Sequence, residues 1–140
     1  MMLVDSNVLM YAAGAVHANK RPSLELLKSI ARGELEGAID AEVLQEILHR
    51  YRAIGRWQDG KGVFDEARRL FPLVIPVDAR VLDLARELMG ETPSLVARDA
   101  VHAAVVLVHE FRGIYSFDTD FDRIEGLNRM PPPALTPAEG

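Results

Sequence analysis

The 140-residue sequence contains no cysteine, which excludes disulfides as well as zinc and iron–sulfur sites with cysteine ligands. Long hydrophobic segments are also missing. The apolar run 103–108 is far shorter than the roughly 20 residues that cross a bilayer. The charge at Asp5 interrupts the N-terminus before a secretory hydrophobic segment could form. We therefore expect a soluble, cytoplasmic protein without a membrane partner.

An excess of positive charge is missing too. The formal net charge is −5, whereas a protein that binds duplex nucleic acid usually carries a basic surface. Lysine is rare and ends at Lys61, so most basic residues are arginines, which suit bidentate contacts with phosphate. The acidic excess directs attention to the carboxylates, some of which could form a metal site.

Apolar residues make up 49% of the chain, enough to bury a core without covalent cross-links. Short apolar runs alternate with segments of helical periodicity, which predicts an α/β fold with a short parallel sheet flanked by helices. The strand candidates are residues 2–4, 38–39, 73–75 and 114–117. The helix candidates are residues 6–13, 23–32, 41–54, 57–71, 79–89 and 94–111. We assign residues 1–129 to one domain and residues 130–140 to a proline-rich, flexible tail.

Two aspartates follow strand candidates from distant parts of the sequence. Asp5 ends the first apolar run, and Asp118 follows the last. Ligands of parallel sheets bind at the carboxyl ends of the strands, so both acids are placed at the same edge. The alternative for Asp5 is a helix N-cap, but Ser6 or Asn7 could fill that role equally well.

Two further acids lie on helix candidates. Glu46 flanks the apolar stripe of helix 41–54 and can reach a cleft edge; alternatively, it is an exposed acid paired with Arg50. Asp99 lies in the first turns of the most apolar helix, where the helix dipole alone would also favour an acid. His102, one turn later, is interpreted as a hydrogen-bonded structural residue. The acids at positions 40 and 42 are interpreted as partners of a helix N-terminus.

Three aspartates, Asp118, Asp120 and Asp122, alternate after the last strand candidate and repel one another unless a cation compensates. An EF-hand loop is excluded, because the sixth position is not glycine and the twelfth is not glutamate. Asp118 is the best ligand candidate, Asp120 could assist it, and Asp122 is interpreted as a surface or capping acid. Carboxylate ligands suit Mg²⁺ or Mn²⁺, which can activate water and stabilise a phosphodiester under attack.

Four segments in order resemble the four motifs of PIN domains: residues 4–12, 41–47, 97–104 and 116–121. Their acids correspond to Asp5, Glu46, Asp99 and Asp118. The resemblance covers residues 2 to about 125 and implies a PIN-like three-layer sandwich. It further implies a Mg²⁺- or Mn²⁺-dependent ribonuclease, similar to VapC-type toxins, which dimerise and are blocked by an antitoxin.

The resemblance leads to three specific expectations. The four acids should converge at the carboxyl edge of one sheet and hold one or two ions. Asn7, Ser116 and Asp120 should orient these ligands or the phosphate of the RNA. A homodimer should form partly through the apolar residues of helices 23–32 and 57–71.

Alternatives from other protein classes remain. Receiver domains and HAD-type phosphatases need a late lysine, which this chain lacks after Lys61. A nuclease of RNA processing without an antitoxin and a non-catalytic PIN scaffold that only binds partners stay open.

Overall fold

A central sheet of five parallel strands organises the computed structural model, which describes residues 1–133. The strands are β1 (Met2–Val4), β2 (Gly37–Asp40), β3 (Val74–Ile75), β4 (Gly113–Tyr115) and β5 (Arg129–Met130). Their order across the sheet is β3-β2-β1-β4-β5. The chain builds outward from β1 on one side and then returns to its other side with β4. The strand order therefore reverses between β1 and β4, and ligands of open parallel sheets bind at such a switch point.

Six α-helices cover the sheet within the described residues. They are α1 (Ser6–Ala13), α2 (Lys20–Ala31), α3 (Ala41–Ala53), α4 (Trp57–Leu70), α5 (Ala79–Glu91) and α6 (Ala97–Val108). Successive side chains of a strand point to opposite faces, so Leu3 packs with α5 and α6 while Met2 and Val4 pack with α1 to α4. Two separate cores result, and the predicted three-layer α/β fold is confirmed.

Of the two helices α5 and α6, which share one face of the sheet, α6 lies closer to the strands. Its small residues Ala100, Ala103 and Ala104 are fully buried, which lets the helix backbone approach the strands. The same helix carries Asp99 in its first turn and the fully buried His102. The apolar composition that predicted a central helix therefore also fixes two ionisable side chains inside the fold.

Two helix starts differ from the sequence prediction. Helix α2 begins at Lys20, and not at Ser23, because Pro22 occupies the first turn, where a backbone N–H has no helical partner. The hydroxyl of Ser23 donates to the carbonyl of Asn19 at 2.7 Å. Helix α6 begins at Ala97, later than the predicted start near residue 94.

Strand β5 was not predicted, because two residues before a proline run carry no periodic signal. It pairs with β4, and its approach depends on Gly113, where a Cβ atom would lie 2.1 Å from the carbonyl oxygen of Asn128. Met130, which we had assigned to the tail, thus belongs to the sheet. Residues 134–140, most of that tail, lie outside the described residues. Among residues 1–133, no helix has the length and apolar content needed to cross a membrane.

Candidate active site

Asp5 lies directly after β1, beside the switch point of the sheet. It is only 4% exposed and is the N-cap of α1, since its Oδ1 accepts a hydrogen bond from the backbone N–H of Ser6 at 2.7 Å. The side chain therefore caps α1 and also lies at the edge of the sheet where the site was predicted. Neither Ser6 nor Asn7 takes over the cap, because the helix already begins at Ser6. The second oxygen, Oδ2, accepts from the hydroxyl of Ser116 at 2.6 Å.

The fully buried Ser116 joins the residues that follow β1 and β4. Its single hydroxyl proton goes to Asp5, so its Oγ must accept from the Nδ2 of Asn7 at 3.1 Å and from the backbone N–H of Asp118 at 3.0 Å. This hydrogen-bond pattern fixes the orientation of the Asn7 amide. Its Oδ1 is buried without a hydrogen-bond partner among the described residues. An unpaired buried acceptor of this kind is suited to a ligand.

Glu46 reaches the same edge from α3. Its Oε2 accepts from the hydroxyl of Ser6, and its Oε1 lies 2.6 Å from the Nε2 of His102. The same ring nitrogen is 3.7 Å from Oδ1 of Asp5. Glu46 thus faces the interior of the site, and not Arg50 as the alternative interpretation required.

Asp99 and Asp118 form a second group with Asp120. One ligand atom from each of these three acids lies within 4.8 Å of the others, as is also true of Asp5, Glu46 and His102. Asp99 is only 7% exposed, whereas Asp118 and Asp120 are more accessible to solvent. Asp118 accepts from the backbone N–H of Asp120 at 2.9 Å, which fixes the turn after β4. Two adjoining groups of ionisable side chains thus supply the carboxylates that could hold a cation.

Burial and repulsion dominate the electrostatics of the site. Burial, followed by the charges of Asp118 and Asp5, raises the pKa of Asp99 to about 7. Burial also raises the pKa of Asp5, with a further contribution from Glu46. Burial opposes the charged form of His102, but the carboxylates of Asp40, Glu46 and Asp5 outweigh it and raise the pKa of His102 well above its usual value. The ionised forms of Asp5 and Asp99 are thus disfavoured unless positive charge lies nearby.

The donor set fits a hard divalent cation. Carboxylate oxygens and the unpaired Oδ1 of Asn7 are the available ligand atoms, and Mg²⁺ and Mn²⁺ prefer oxygen. His102 is no free ligand, although it lies among the acids, because its two ring nitrogens face Asp40 and Glu46 at 2.7 Å and 2.6 Å. A softer metal that selects nitrogen or sulfur would therefore find no suitable ligand here.

The structure brings together every residue that the sequence placed in the site, and it adds three that sequence reasoning placed elsewhere. Ser6 and Asp40 were interpreted only as capping or helix-terminal residues, and His102 as structural. The spacing of His102 from Asp99, three residues on one helix, indicated a shared face but not which partners the ring would meet. Asp40 gave no signal, because an N-cap interpretation explained it completely.

The chain is similar to known proteins over most of its length. The family model described as "PIN domain" matches residues 2–127. Ribonuclease VapC13 of Mycobacterium tuberculosis is 40% identical over 130 residues, which cover 93% of this chain and 99% of that protein.

Solved structures show the same fold. Mycobacterium tuberculosis VapC20, described as a sarcin-ricin loop cleaving toxin, superposes with a TM-score of 0.75 at 20% identity, covering 94% of this chain and 100% of that one. The VapBC2 complex of Rickettsia felis, bound to a promoter DNA fragment, contains a chain with a TM-score of 0.72 at 18% identity, with 93% and 97% covered. The chain therefore belongs to the PIN domain family, in which it groups with the VapC ribonucleases.

Proposed function

We propose that this protein is a metal-dependent endoribonuclease and the toxin of a toxin–antitoxin pair. The observation that carries the proposal is the convergence of Asp5, Glu46, Asp99 and Asp118 at the switch point of the sheet, where neighbouring acids help to raise the pKa of Asp99 to about 7. The names of the relatives support RNA as the substrate. The acidic pocket by itself would repel RNA, and a bound cation removes that repulsion.

In this proposal Asp5 and Asp99 are the principal ligands, directly or through water, and Glu46 and Asp118 complete the set. When bound, Mg²⁺ or Mn²⁺ would stabilise the charge on the scissile phosphodiester and lower the pKa of an attacking water. The chain contributes the arrangement of the ligands: Ser116 fixes Asp5 and the turn at Asp118 through hydrogen bonds of 2.6 Å and 3.0 Å. Asn7 presents its Oδ1, and Asp120 lies beside Asp118 at the exposed rim.

Cleavage of a single-stranded RNA tests this function directly. We expect cleavage with Mg²⁺ or Mn²⁺, loss of cleavage with EDTA, and recovery when the ion is restored in excess. The reaction is followed by gel electrophoresis of an end-labelled RNA. Cleavage that persists in EDTA would contradict the metal-dependent reaction, and no cleavage of any RNA would favour a scaffold that only binds partners.

A toxin also requires a partner that blocks it, and the chain offers a surface for one. A cleft of about 920 Å³ opens between α1, α2 and α4. None of the four acids lines it. Its walls are apolar, and charged side chains of both signs surround them. The cleft lining includes Leu9, Leu24, Leu27, Ile30 and Leu70, with Lys28, Arg56, Asp59, Glu66 and Arg69 among the charged residues. We propose that an amphipathic segment of the antitoxin binds here with its apolar face inward.

The cleft assignment is tested with the product of an adjacent small antitoxin gene, if the genome contains one. Leu27→Glu places a charge in the cleft and should weaken antitoxin binding at least about tenfold, because a buried unpaired charge is costly. Leu82→Glu is the matched control, since Leu82 is 49% exposed on α5. Binding is measured by calorimetry. Equal affinities of the two variants would contradict the cleft as the binding site, and a genome without such a gene would favour an RNA-processing nuclease.

The predicted homodimer stays a proposal, with one correction to its basis. Val63 and Phe71 are buried in the protein's own core, so they are not free to form an interface. Phe64 is partly buried and remains available at the edge of α4, whereas Leu70 lines the cleft assigned to the antitoxin. We expect light scattering at micromolar concentration to give twice the mass of one chain. A monomer mass under these conditions would contradict the dimer.

A further inference from the structure

The side chain of His102 has no exposed surface, and both its ring nitrogens face carboxylates. Nδ1 lies 2.7 Å from Oδ2 of Asp40, and Nε2 lies 2.6 Å from Oε1 of Glu46. Ionised carboxylates only accept hydrogen bonds, so the ring satisfies both contacts only by donating from both nitrogens. Asp5, at 3.7 Å, is the third acid that faces the ring. The buried ring thus connects α6 to the N-cap of α3 and to Glu46 within that helix.

Asp40 provides a fixed anchor for the ring. The residue is fully buried, and its Oδ1 accepts from the backbone N–H of Val43 at 3.0 Å, as the N-cap of α3. Its other oxygen is then directed at His102. Because the cap fixes the carboxylate, the ring is held on its Nδ1 side by the backbone of the helix that also carries Glu46.

Glu46, in contrast, depends on its neighbours for its orientation. Its side chain is 14% exposed, on a helix flank, and it has three rotatable bonds that solvent would leave free. His102 holds one of its oxygens from α6, and Ser6 holds the other from α1. Asp5 needs no such help, because its own hydrogen bonds to Ser6 and Ser116 orient it.

We propose that His102, anchored by Asp40, is a positioning residue that fixes Glu46 in the cation site and is not itself a metal ligand. This inference rests on the proposed nuclease function. The buried ring restrains the side chain of Glu46. Ser116, in comparison, restrains Asp5 and the backbone at Asp118. Removing the ring's contact with Glu46 should therefore weaken the binding of a divalent cation, although no ligand atom is lost.

Two substitutions separate the two sides of the ring. The amide nitrogen of asparagine, like Nδ1, is bonded to Cγ, whereas that of glutamine lies one bond further out, like Nε2. His102→Asn therefore keeps a donor for Asp40, and His102→Gln keeps a donor that can reach Glu46. Both variants lose the positive charge. A purely structural or charge-compensating role would affect them alike.

Mn²⁺ binding to the full chain, measured by calorimetry without RNA, is the primary readout. We expect His102→Asn to weaken Mn²⁺ binding about 10- to 100-fold and His102→Gln to recover most of that loss. Melting temperatures of the apo proteins serve as the control for folding. The inference would be overturned if both variants lost the same Mn²⁺ affinity and this loss paralleled their decrease in melting temperature.

A double-mutant cycle with Glu46→Ala tests whether His102 acts through Glu46. In the Glu46→Ala background, His102→Asn should change Mn²⁺ affinity less than about twofold, because the side chain that it positions is gone. Effects that multiply across the two sites would overturn the positioning role. Wild-type protein that binds no Mn²⁺ would instead overturn the proposed nuclease function, which wild-type cleavage in the RNA assay reports independently.

A second pair of variants, at Asp40, leaves the His102 ring in place. This pair tests the inference even if His102→Asn does not fold. Asp40→Asn keeps an oxygen for the N–H of Val43 and can donate its amide to Nδ1, so the ring stays anchored and still donates to Glu46. Asp40→Ala removes both contacts. Mn²⁺ affinity should fall about tenfold further in Asp40→Ala than in Asp40→Asn. Equal affinities in these two variants would overturn the anchoring role.

Discussion

Asp5→Asn is expected to lower RNA cleavage at least about 100-fold, because it removes the charge of a principal cation ligand at the switch point. The amide keeps an oxygen for the N–H of Ser6, so the cap of α1 survives. Its NH₂ group, however, would face the hydroxyl of Ser116, whose two lone pairs are already used by Asn7 and Asp118. This local cost offsets the relief of buried charge, so apo stability should change little or rise slightly.

Cleavage rates and melting temperatures with and without Mn²⁺ check this prediction. Mn²⁺ should raise the melting temperature of Asp5→Asn less than that of the wild type. The cation stabilises the folded state by binding to it, so weaker binding gives less stabilisation. Asp83→Asn is the matched control, since it makes the same chemical change at an exposed position on α5. Wild-type cleavage by Asp5→Asn would refute the metal-nuclease proposal.

The stability of the apo protein is expected to fall as pH rises from about 4 to about 7. In this window folded Asp99, with a pKa of about 7, holds a proton that the unfolded chain has already released. The folded state binds more protons than the unfolded state, so raising the pH favours unfolding. The raised pKa of Asp5 acts in the same direction in this window, and the raised pKa of His102 does so above the ordinary histidine value of 6.5. We expect a loss of about 2 kcal/mol, or on the order of 5 °C or more in melting temperature.

Mn²⁺ should reverse this dependence. Cation binding needs the ionised acids, so affinity should increase as pH rises through about 7, and the Mn²⁺-induced rise in melting temperature should grow with it. Thermal unfolding with Mn²⁺ or with EDTA across this pH range measures both trends. Asp99→Asn should flatten the apo curve, because its side chain does not titrate. A wild-type apo melting temperature that rises steadily to pH 8 would contradict the assignment of Asp99 as the repelled, protonated acid.

Much of the fold followed from local sequence signals. Alternating apolar runs and helical stripes predicted the layers, and Asp40 lies at the helix N-terminus predicted for it, as the N-cap of α3. Strand β5 was missed because a two-residue strand gains its stability from pairing with β4 rather than from its own sequence. The start of α2 was predicted after Pro22, because proline breaks the interior of a helix. Proline is tolerated in the first turn, however, and α2 begins before it, at Lys20.

The sequence by itself predicted four carboxylates of the candidate site. Two acids follow strands, one lies on a helix flank and one lies at the start of a buried helix. Local periodicity is enough to predict these placements. They predict oxygen ligands at one edge of the sheet. The tertiary structure alone decided what each acid faces. His102 meets Asp40 and Glu46 only because α6 packs beside α3 across the sheet, and contacts separated by 62 and 56 residues leave no trace in a local pattern. The hydrogen bonds that orient the site are long-range, and long-range contacts are fixed by packing.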